Sequence, residues 1–269
     1  MGDGPPWSQG GADVRFEWGP DGGAQIARGA AVVVVVDVLS FTTTVGVALA
    51  GGAEVLPSRW HDGAAARLAA ERGARLAVGR LEARALASDD VPPASLSPAD
   101  MVRAAGAGAL RGDRIVLPSP NGSTIVAALS GGDARVVAAS LRTRAAVSRW
   151  LVRSAPSGPV AVVAAGERWP DGPLRPAVED LWGAGSVVEA LVAEQRRAGR
   201  RELRLSPEAG AAVAAFAAVR SDLAANLAGC ASGLELAAAG FADDVVVAAG
   251  LDADDVVPLL VGDALRAAT

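Results

Sequence analysis

The apolar positions of this chain fall in short runs that alternate with alanine-rich stretches. The longest uninterrupted run of one residue type is Val32–Val36, and Val38 follows after a single carboxylate, Asp37. A continuous apolar run of this length is typical of a strand that is buried on both faces. Strands that alternate with helical stretches predict an α/β fold, with mostly parallel or mixed sheets flanked by helices.

The same pattern predicts the individual elements. Strands are expected at Ala31–Val38, Ala53–Leu56, Arg75–Val78, Arg114–Leu117, Arg135–Ala138, Val160–Ala164, Asp244–Ala248 and Val256–Val261. Helices are expected at Thr43–Ala50, Asp62–Arg72, Thr124–Leu129, Thr143–Arg153, Glu179–Arg197, Pro207–Gly229 and Ser232–Ala239. Ser88–Pro98 and Gly166–Pro176 are predicted to be loops, and the Gly- and Pro-rich residues 1–12 predict a flexible N-terminus.

Two segments about 80 residues apart resemble each other. Leu39–Ala53 and Ser119–Asp133 each contain a hydroxyl-rich turn, a short apolar stretch and a double glycine. A repeat of this kind predicts two similar lobes related by internal duplication, at roughly residues 13–110 and 111–269 of a single domain, around a central cleft. The alternative is a chance likeness between two α/β units built from Ala, Val and Gly.

Composition limits the functions that are open to this chain. It has 269 residues, a net charge of −5 and no basic stripe, which argues against binding to nucleic acid. The interrupted apolar runs predict no membrane-spanning helix, and the single cysteine, Cys230, suits a reducing cytoplasm. Lysine is absent, so a Walker A loop and Schiff-base chemistry are excluded. The six tryptophans could mark an interface, which leaves a homodimer open.

Polar residues follow three of the predicted strands, where open α/β sheets bind their ligands. Asp37 ends the valine strand and precedes Thr42 and Thr43. As a functional group Asp37 would be a metal ligand or a nucleophile, with the threonines binding phosphate; the alternative is plain capping of the next helix. Asn121-Gly122-Ser123 follows the strand at Arg114–Leu117 and is either a nest for an anion or a tight turn.

The third group contains most of the remaining charge. Glu167 and Arg168 follow the strand at Val160–Ala164, and Glu179 and Asp180 open a predicted helix. Carboxylates are ligands for Mg²⁺, and an arginine can hold phosphate with two parallel hydrogen bonds. Acidic residues are also ordinary in a first helical turn, where they complement the helix dipole.

Five motifs, in this order, resemble those of the 2-phosphosulfolactate phosphatase family. They are Asp37-Val38-Leu39-Ser40-Phe41-Thr42-Thr43; Asn121-Gly122-Ser123; Ala165-Gly166-Glu167 with Glu179-Asp180-Leu181-Trp182-Gly183-Ala184-Gly185; Ser232-Gly233-Leu234 with Gly240-Phe241-Ala242-Asp243-Asp244; and Asp255-Val256-Val257-Pro258. The resemblance implies an α/β fold with two related halves. It also implies a Mg²⁺-dependent phosphatase of coenzyme M biosynthesis, acting on a small anionic phosphomonoester, 2-phosphosulfolactate, to give sulfolactate.

For a phosphatase of this kind, we expect the following roles for the polar residues described above. The metal ligands would be Asp37, Glu179 and Asp180; the catalytic residues Asp37, Glu167 and Arg168; and the phosphate-binding residues Thr42, Thr43, Asn121, Gly122, Ser123 and Ser232.

The chain is a divergent member of this pattern. Ser40 and Leu234 stand where the family has arginine, and Leu96 stands where it has asparagine. Two lost arginines remove charge that would pair with an anion, and the arginines that could replace it are Arg80, Arg142 and Arg168. The alternative function is therefore a catalytically decayed protein that binds a small anion and serves in regulation or as a scaffold.

Overall fold

A computed structural model describes residues 4–59, 63–86, 94–154 and 158–268. The strands in these ranges are β1 Val14–Trp18, β2 Val32–Val36, β3 Glu54–Ser58, β4 Arg75–Leu76, β5 Arg114–Pro118, β6 Arg135–Ala139, β7 Val160–Ala164, β8 Glu167–Arg168, β9 Leu174–Arg175, β10 Pro258–Val261 and β11 Ala264–Ala267. The α-helices are α1 Gly19–Ile26, α2 Phe41–Ala50, α3 Ala64–Arg72, α4 Arg80–Leu86, α5 Pro98–Gly106, α6 Gly122–Leu129, α7 Arg144–Ser154, α8 Val178–Arg197, α9 Pro207–Val219, α10 Leu223–Gly229, α11 Ala231–Ala238 and α12 Ala242–Ala248.

Nine of these strands form one mixed sheet, in the order β1-β7-β2-β6-β10-β11-β3-β5-β4. Strands β1, β7, β2 and β6 are parallel to one another, and so are β3, β5 and β4. The antiparallel hairpin β10–β11 lies between the two groups and pairs with β6 on one side and β3 on the other. The predicted α/β fold with mostly parallel or mixed strands is confirmed.

Strand β2 lies in the middle of the first group and is covered on both faces. Its five valines are fully buried. Val32, Val34 and Val36 pack with α7, α8 and α9, whereas Val33 and Val35 pack with α2 and α6. Because successive side chains of a strand point to opposite faces, a strand between two cores must be apolar at every position. The prediction that the run of valines forms a strand buried on both faces is confirmed.

One predicted strand is wrong. Asp244–Ala248 belongs to α12, a helix that begins at Ala242. Its run of β-branched valines favours a strand by propensity, but Val245 and Ala248 point to one buried side with helical spacing. Tertiary packing overrides propensity here, since residues three apart face the core together.

Other elements differ in extent from the prediction. The predicted helix Pro207–Gly229 is divided into α9 and α10 by a 3₁₀ turn at Arg220–Asp222. By length and composition this stretch is the one described segment that could cross a membrane. Its Ala212 and Phe216 pack on α8, however, where Gly185 meets Ala212. Strands β1 and β11 and helices α1, α4 and α5 were not predicted, and Gly166–Pro176 contains the small hairpin β8–β9.

The two echoing segments adopt matching turns, displaced by 81 residues. The Thr43 hydroxyl donates to the carbonyl of Val38 at 2.7 Å, and the Thr124 hydroxyl donates to the carbonyl of Ser119 at 2.9 Å. The residues before the two helices, Ser40 and Asn121, share an unusual ψ of −98° and −90°. Nine of the eleven described strands form a single sheet that is not divided into two lobes. Internal duplication and the two lobes remain predictions.

Several predicted segments lie partly outside the described residues. These are residues 1–3 of the N-terminal segment, the start of the helix at Asp62–Arg72 and most of the loop Ser88–Pro98. Within the described part of the N-terminal segment, Pro6–Ser8 forms a 3₁₀ helix. The Gln9 side chain also exchanges two hydrogen bonds with the backbone of Phe16.

Candidate active site

Asp37 lies where β2 ends, and its carboxylate joins two helix N-termini. The N–H of Phe41, the first residue of α2, donates to Oδ1 at 3.3 Å. The N–H of Gly122, the first residue of α6, donates to Oδ2 at 2.9 Å. Helix N-termini carry partial positive charge and unpaired N–H groups, which favour a carboxylate. Asp37 thus fixes the turn after β2 against the turn after β5.

Asp180 likewise accepts backbone hydrogen bonds, here from the residues that follow two strands. It lies in the first turn of α8 and is buried. Its Oδ1 accepts from the N–H of Val38 at 2.7 Å, and its Oδ2 accepts from the N–H of Gly166 at 2.8 Å. These two residues follow β2 and β7, so Asp180 holds together the ends of neighbouring parallel strands beside Asp37.

Two further carboxylates complete a cluster that we call the acidic centre: Asp37, Glu167, Glu179 and Asp180. Glu167 accepts a hydrogen bond from the side-chain amide of Asn121 at 2.7 Å. Glu179 is buried in the first turn of α8. The structure therefore brings together residues from four separate stretches of sequence that were predicted to form one site.

Burial and mutual repulsion perturb the acidic centre. Burial, opposed by the two N–H donors and by the positive charge of Arg80, raises the pKa of Asp37 to about 6. Burial and the negative charge of Asp37 raise the pKa of Glu167 to about 7. Burial, together with Asp37 and Glu179, also raises the pKa of Asp180 well above its usual range. Grouped carboxylates with raised pKa values are a feature of functional sites.

The donor set suits a hard cation, but the described residues do not present a preformed metal cage. No three of their His, Cys, Asp or Glu side chains converge in a way that could hold a metal ion. Mg²⁺ commonly binds through one or two carboxylates plus waters and substrate phosphate, without an all-protein cage. The four clustered carboxylates fit that mode of binding.

The hydroxyl groups predicted to bind phosphate are used inside the turns. Thr42, Thr43 and Ser123 are fully buried. The Thr42 hydroxyl donates to the carbonyl of Asp37 at 2.7 Å and accepts from its N–H at 3.0 Å. The Ser123 hydroxyl accepts from the N–H of Ser58 at 2.8 Å and lies 2.9 Å from the carbonyl of Leu117. These hydroxyls hold the backbone that in turn holds Asp37.

Ser232 lies on the first turn of α11 and is buried. The sulfur of Cys230, the residue before the first residue of α11, caps this helix by accepting from the N–H of Gly233 at 3.4 Å. Burial and the nearby charge of Glu179 raise the pKa of the Cys230 thiol to about 12. A thiol that stays protonated at neutral pH is a packing group, because the thiolate is the nucleophile.

Three arginines were considered as replacements for lost positive charge, and the structure separates them. Arg80 donates to the carbonyl of Leu39 at 2.9 Å, in the turn after Asp37. Arg168 is exposed and donates to the carbonyl of Gly172 at 3.0 Å. Arg142 is paired with Asp254 through two hydrogen bonds of 2.6 and 2.9 Å. The charge of Arg80 acts on Asp37, whereas the guanidinium of Arg142 is bound to Asp254 and to the carbonyl of Val247.

Arg80 depends on a carboxylate that was not predicted as a site residue. Nε of Arg80 donates to Oδ2 of Asp244 at 2.6 Å. Oδ1 of Asp244 accepts from the Ser97 hydroxyl and from the N–H of Ala99 at 3.1 Å. The sequence did carry a signal for the start of α5, the helix that Asp244 contacts, since Ser97-Pro98-Ala99-Asp100 has a cap residue and a proline at the start of a helix. The prediction of a loop at Ser88–Pro98 overlooked this helix start.

Comparison with a family model identifies the family of this chain. A search of curated proteins gives no match. The family model described as 2-phosphosulpholactate phosphatase matches residues 23–263 of the 269, which covers the acidic centre and all nine strands of the sheet except β1 and β11. The chain therefore belongs to the 2-phosphosulpholactate phosphatase family, a family of phosphoric monoester hydrolases.

Proposed function

We propose that this protein is a Mg²⁺-dependent phosphatase that hydrolyses a small anionic phosphomonoester, like 2-phosphosulfolactate to sulfolactate and phosphate. The observation that carries the proposal is the acidic centre at the end of β2. Four carboxylates are gathered there at the N-termini of α2, α6 and α8, although their charges repel one another.

The metal would be held by one or two carboxylates from the proposed ligands Asp37, Glu179 and Asp180, with water and substrate phosphate as its remaining ligands. Both oxygens of Asp37 and of Asp180 already accept one backbone N–H each. A carboxylate oxygen has a second lone pair, so these bonds orient the group without using all of its acceptor capacity. When bound, Mg²⁺ would neutralise charge on the phosphate and polarise its oxygens.

Glu167 is the proposed general base. Its pKa of about 7 lies near neutral pH, where a base is most effective in taking a proton from water. The Asn121 amide fixes its carboxylate at 2.7 Å. The proton of the attacking water would pass to the free carboxylate oxygen of Glu167, while the ester oxygen leaves with the organic part.

The phosphate would be bound from two directions. The turns after β2 and β5 would offer the backbone N–H groups of Thr43 and Ser123, and Ser232 would approach from α11. The N–H groups of Thr42 and Gly122 already donate to Asp37 and position that residue. Arg80 and Arg168 would supply the positive charge that stabilises the phosphoryl group in the transition state. In this proposal the buried hydroxyls stabilise the turns, and the N–H groups and arginines contact the anion.

The test is phosphate release from purified protein with Mg²⁺ and with EDTA, on 2-phosphosulfolactate, 2-phospholactate and simpler phosphomonoesters. We expect release that needs Mg²⁺ and falls at least 100-fold in Asp37→Asn. The matched control is Asp133→Asn, at an exposed position outside the site. Release that ignores EDTA, or full activity of Asp37→Asn, would overturn the proposal.

One observation favours the alternative of a decayed anion-binding protein. Leu234, where the family has arginine, is 58% exposed and offers no charge to an anion. Tight binding of the same esters by a folded protein, without release of phosphate from any of them, would support that alternative.

A further inference from the structure

A pocket lies directly beside the acidic centre, and the proposed chemistry uses only its polar edge at Asn121, Glu167 and Arg168. The corner between β1 and α1, the turn into α6, and the hairpin β8–β9 with the segment leading into it form its walls. Its apolar side chains include Trp18, Pro20, Pro120, Ile125 and Leu174. Its polar side chains are Asp21, Asn121, Thr124, Glu167 and Arg168.

The pocket and the acidic centre share a wall. That wall is the hydrogen-bonded pair of Asn121 and Glu167. Asn121 directly precedes Gly122, whose N–H holds Asp37, and the charge of Asp37 acts on Glu167. A phosphate ester at the acidic centre would therefore have its organic part within reach of the pocket.

Close contacts restrain the apolar wall, although Leu174 itself is 37% exposed. Ile125 is 1% exposed, so its position is fixed by the core. Leu174 lies against Gly19 and Gly166, where an added Cβ would come within 3.2 and 2.7 Å of its methyl carbons. Both glycines have positive φ, of 63° and 68°. The backbone has thus been brought close to Leu174 at two positions that other residues would occupy only with strain.

The size of the pocket sets the size of its occupant. Its volume is about 180 Å³. A closed, apolar cavity of about 150 Å³ accepts benzene, and this open pocket, which has polar residues on one side, offers comparable room. A methyl group would leave most of this space to water, whereas one phenyl ring would fill it.

We infer that this pocket is the subsite for the organic part of the substrate, and that the substrate class is a phosphorylated hydroxy acid with an apolar group up to the size of a phenyl ring. The inference rests on the proposed function for the identity of the phosphate site. The apolar wall binds the side group, while Glu167 and Arg168 border its polar end.

The experiment compares the phosphate esters of lactate and of 3-phenyllactate. Phosphate release by the wild-type protein gives kcat/KM for each, and we expect about a tenfold or greater preference for the phenyl compound, because an aromatic ring leaves water for an apolar wall. In Leu174→Ala this preference should fall several-fold, through KM more than through kcat. Asp133→Asn is the control and should keep the wild-type preference.

Binding is measured separately, so that the two proposals can fail separately. Isothermal titration of the Asp37→Asn protein with each ester reports affinity without turnover. A preference in binding that is weakened by adding Leu174→Ala supports the subsite, even if the wild-type protein releases no phosphate. Equal affinities or a preference for the lactate ester overturns the subsite, even if both esters are hydrolysed.

Discussion

Three carboxylates of the acidic centre, Asp37, Glu179 and Asp180, are buried, and Glu167 is partly buried. Asp37 and Asp180 each receive two backbone N–H groups, and Glu167 receives the Asn121 amide. These bonds favour the charged form, but burial and repulsion outweigh them, because the pKa values of all three groups are raised. The unliganded site is therefore a source of instability that depends on pH.

The stability of the metal-free protein should fall as pH rises. An acid with a raised pKa binds more protons in the folded state than in the unfolded state, so the free energy of unfolding decreases with pH between its two pKa values. For Glu167 that window runs from 4.5 to about 7. Urea unfolding in EDTA between pH 5 and pH 8 should show a loss of at most about 3 kcal/mol from this group, and Glu167→Gln should lose less. Parallel curves for the two proteins would contradict this.

Gly122 is required by the close contact between the two turns. A Cβ at this position would lie 2.6 Å from Oδ2 of Asp37 and 2.7 Å from Cδ1 of Phe41. Gly122→Ala should displace the carboxylate, lower phosphatase activity at least tenfold and destabilise the protein by about 1–3 kcal/mol. Activity assays and urea unfolding measure both effects. Gly131→Ala is the matched control, since nothing lies within 4 Å of its added Cβ, and equal effects in the two variants would refute the steric argument.

At the scale of elements, one buried carboxylate ties three helices to the site. Asp244, on α12, accepts from Ser97 at the start of α5 and from Arg80 at the start of α4. Arg80 then reaches the carbonyl of Leu39, in the turn that follows Asp37. The position of Arg80, the cation that acts on Asp37, therefore depends on α12, a helix that the sequence pattern predicted to be a strand.

Asp244→Asn should leave Arg80 without its ionic partner. Removal of one member of a buried pair costs about 3–5 kcal/mol when both groups are fully buried, and the Arg80 side chain is 19% exposed. We expect a loss of about 2–3 kcal/mol in urea unfolding and a rise in KM for the anionic substrate. Asp243→Asn, at the neighbouring exposed position, is the control and should change neither. An unchanged KM in Asp244→Asn would show that Arg80 does not contribute to binding of the substrate.

At the scale of the whole molecule, the C-terminal hairpin makes one sheet out of two parallel groups. Strand β10 pairs with β6, and β11 pairs with β3. The groups on either side contribute the two turns that meet at Asp37. A cytoplasmic location and a homodimer remain predictions, and gel filtration of the purified protein would test the second.

A charge in the centre of this hairpin should disrupt the fold. Leu265 is fully buried and pairs with Val55 of β3, whereas Val261 in the same hairpin is 47% exposed. Leu265→Asp would bury an unpaired carboxylate, which costs several kcal/mol, so circular dichroism should show loss of cooperative thermal unfolding. Val261→Asp should unfold cooperatively near the wild-type midpoint. A native-like transition in Leu265→Asp would mean that the hairpin does not hold the two groups together.

The sequence by itself determined the elements whose signals are local. The valines of β2 predicted a strand buried on both faces, and the ends of β2, β5 and β7 predicted the residues of the site, because side-chain periodicity and turn chemistry act over a few residues. Tertiary structure alone decided that α12 is a helix and that the hydroxyls of Thr42 and Ser123 are used within the turns. It also decided that Asp244 holds Arg80 where its charge acts on Asp37. Each of these depends on contacts between residues far apart in the chain, and a local pattern of apolar and polar positions carries no record of such contacts.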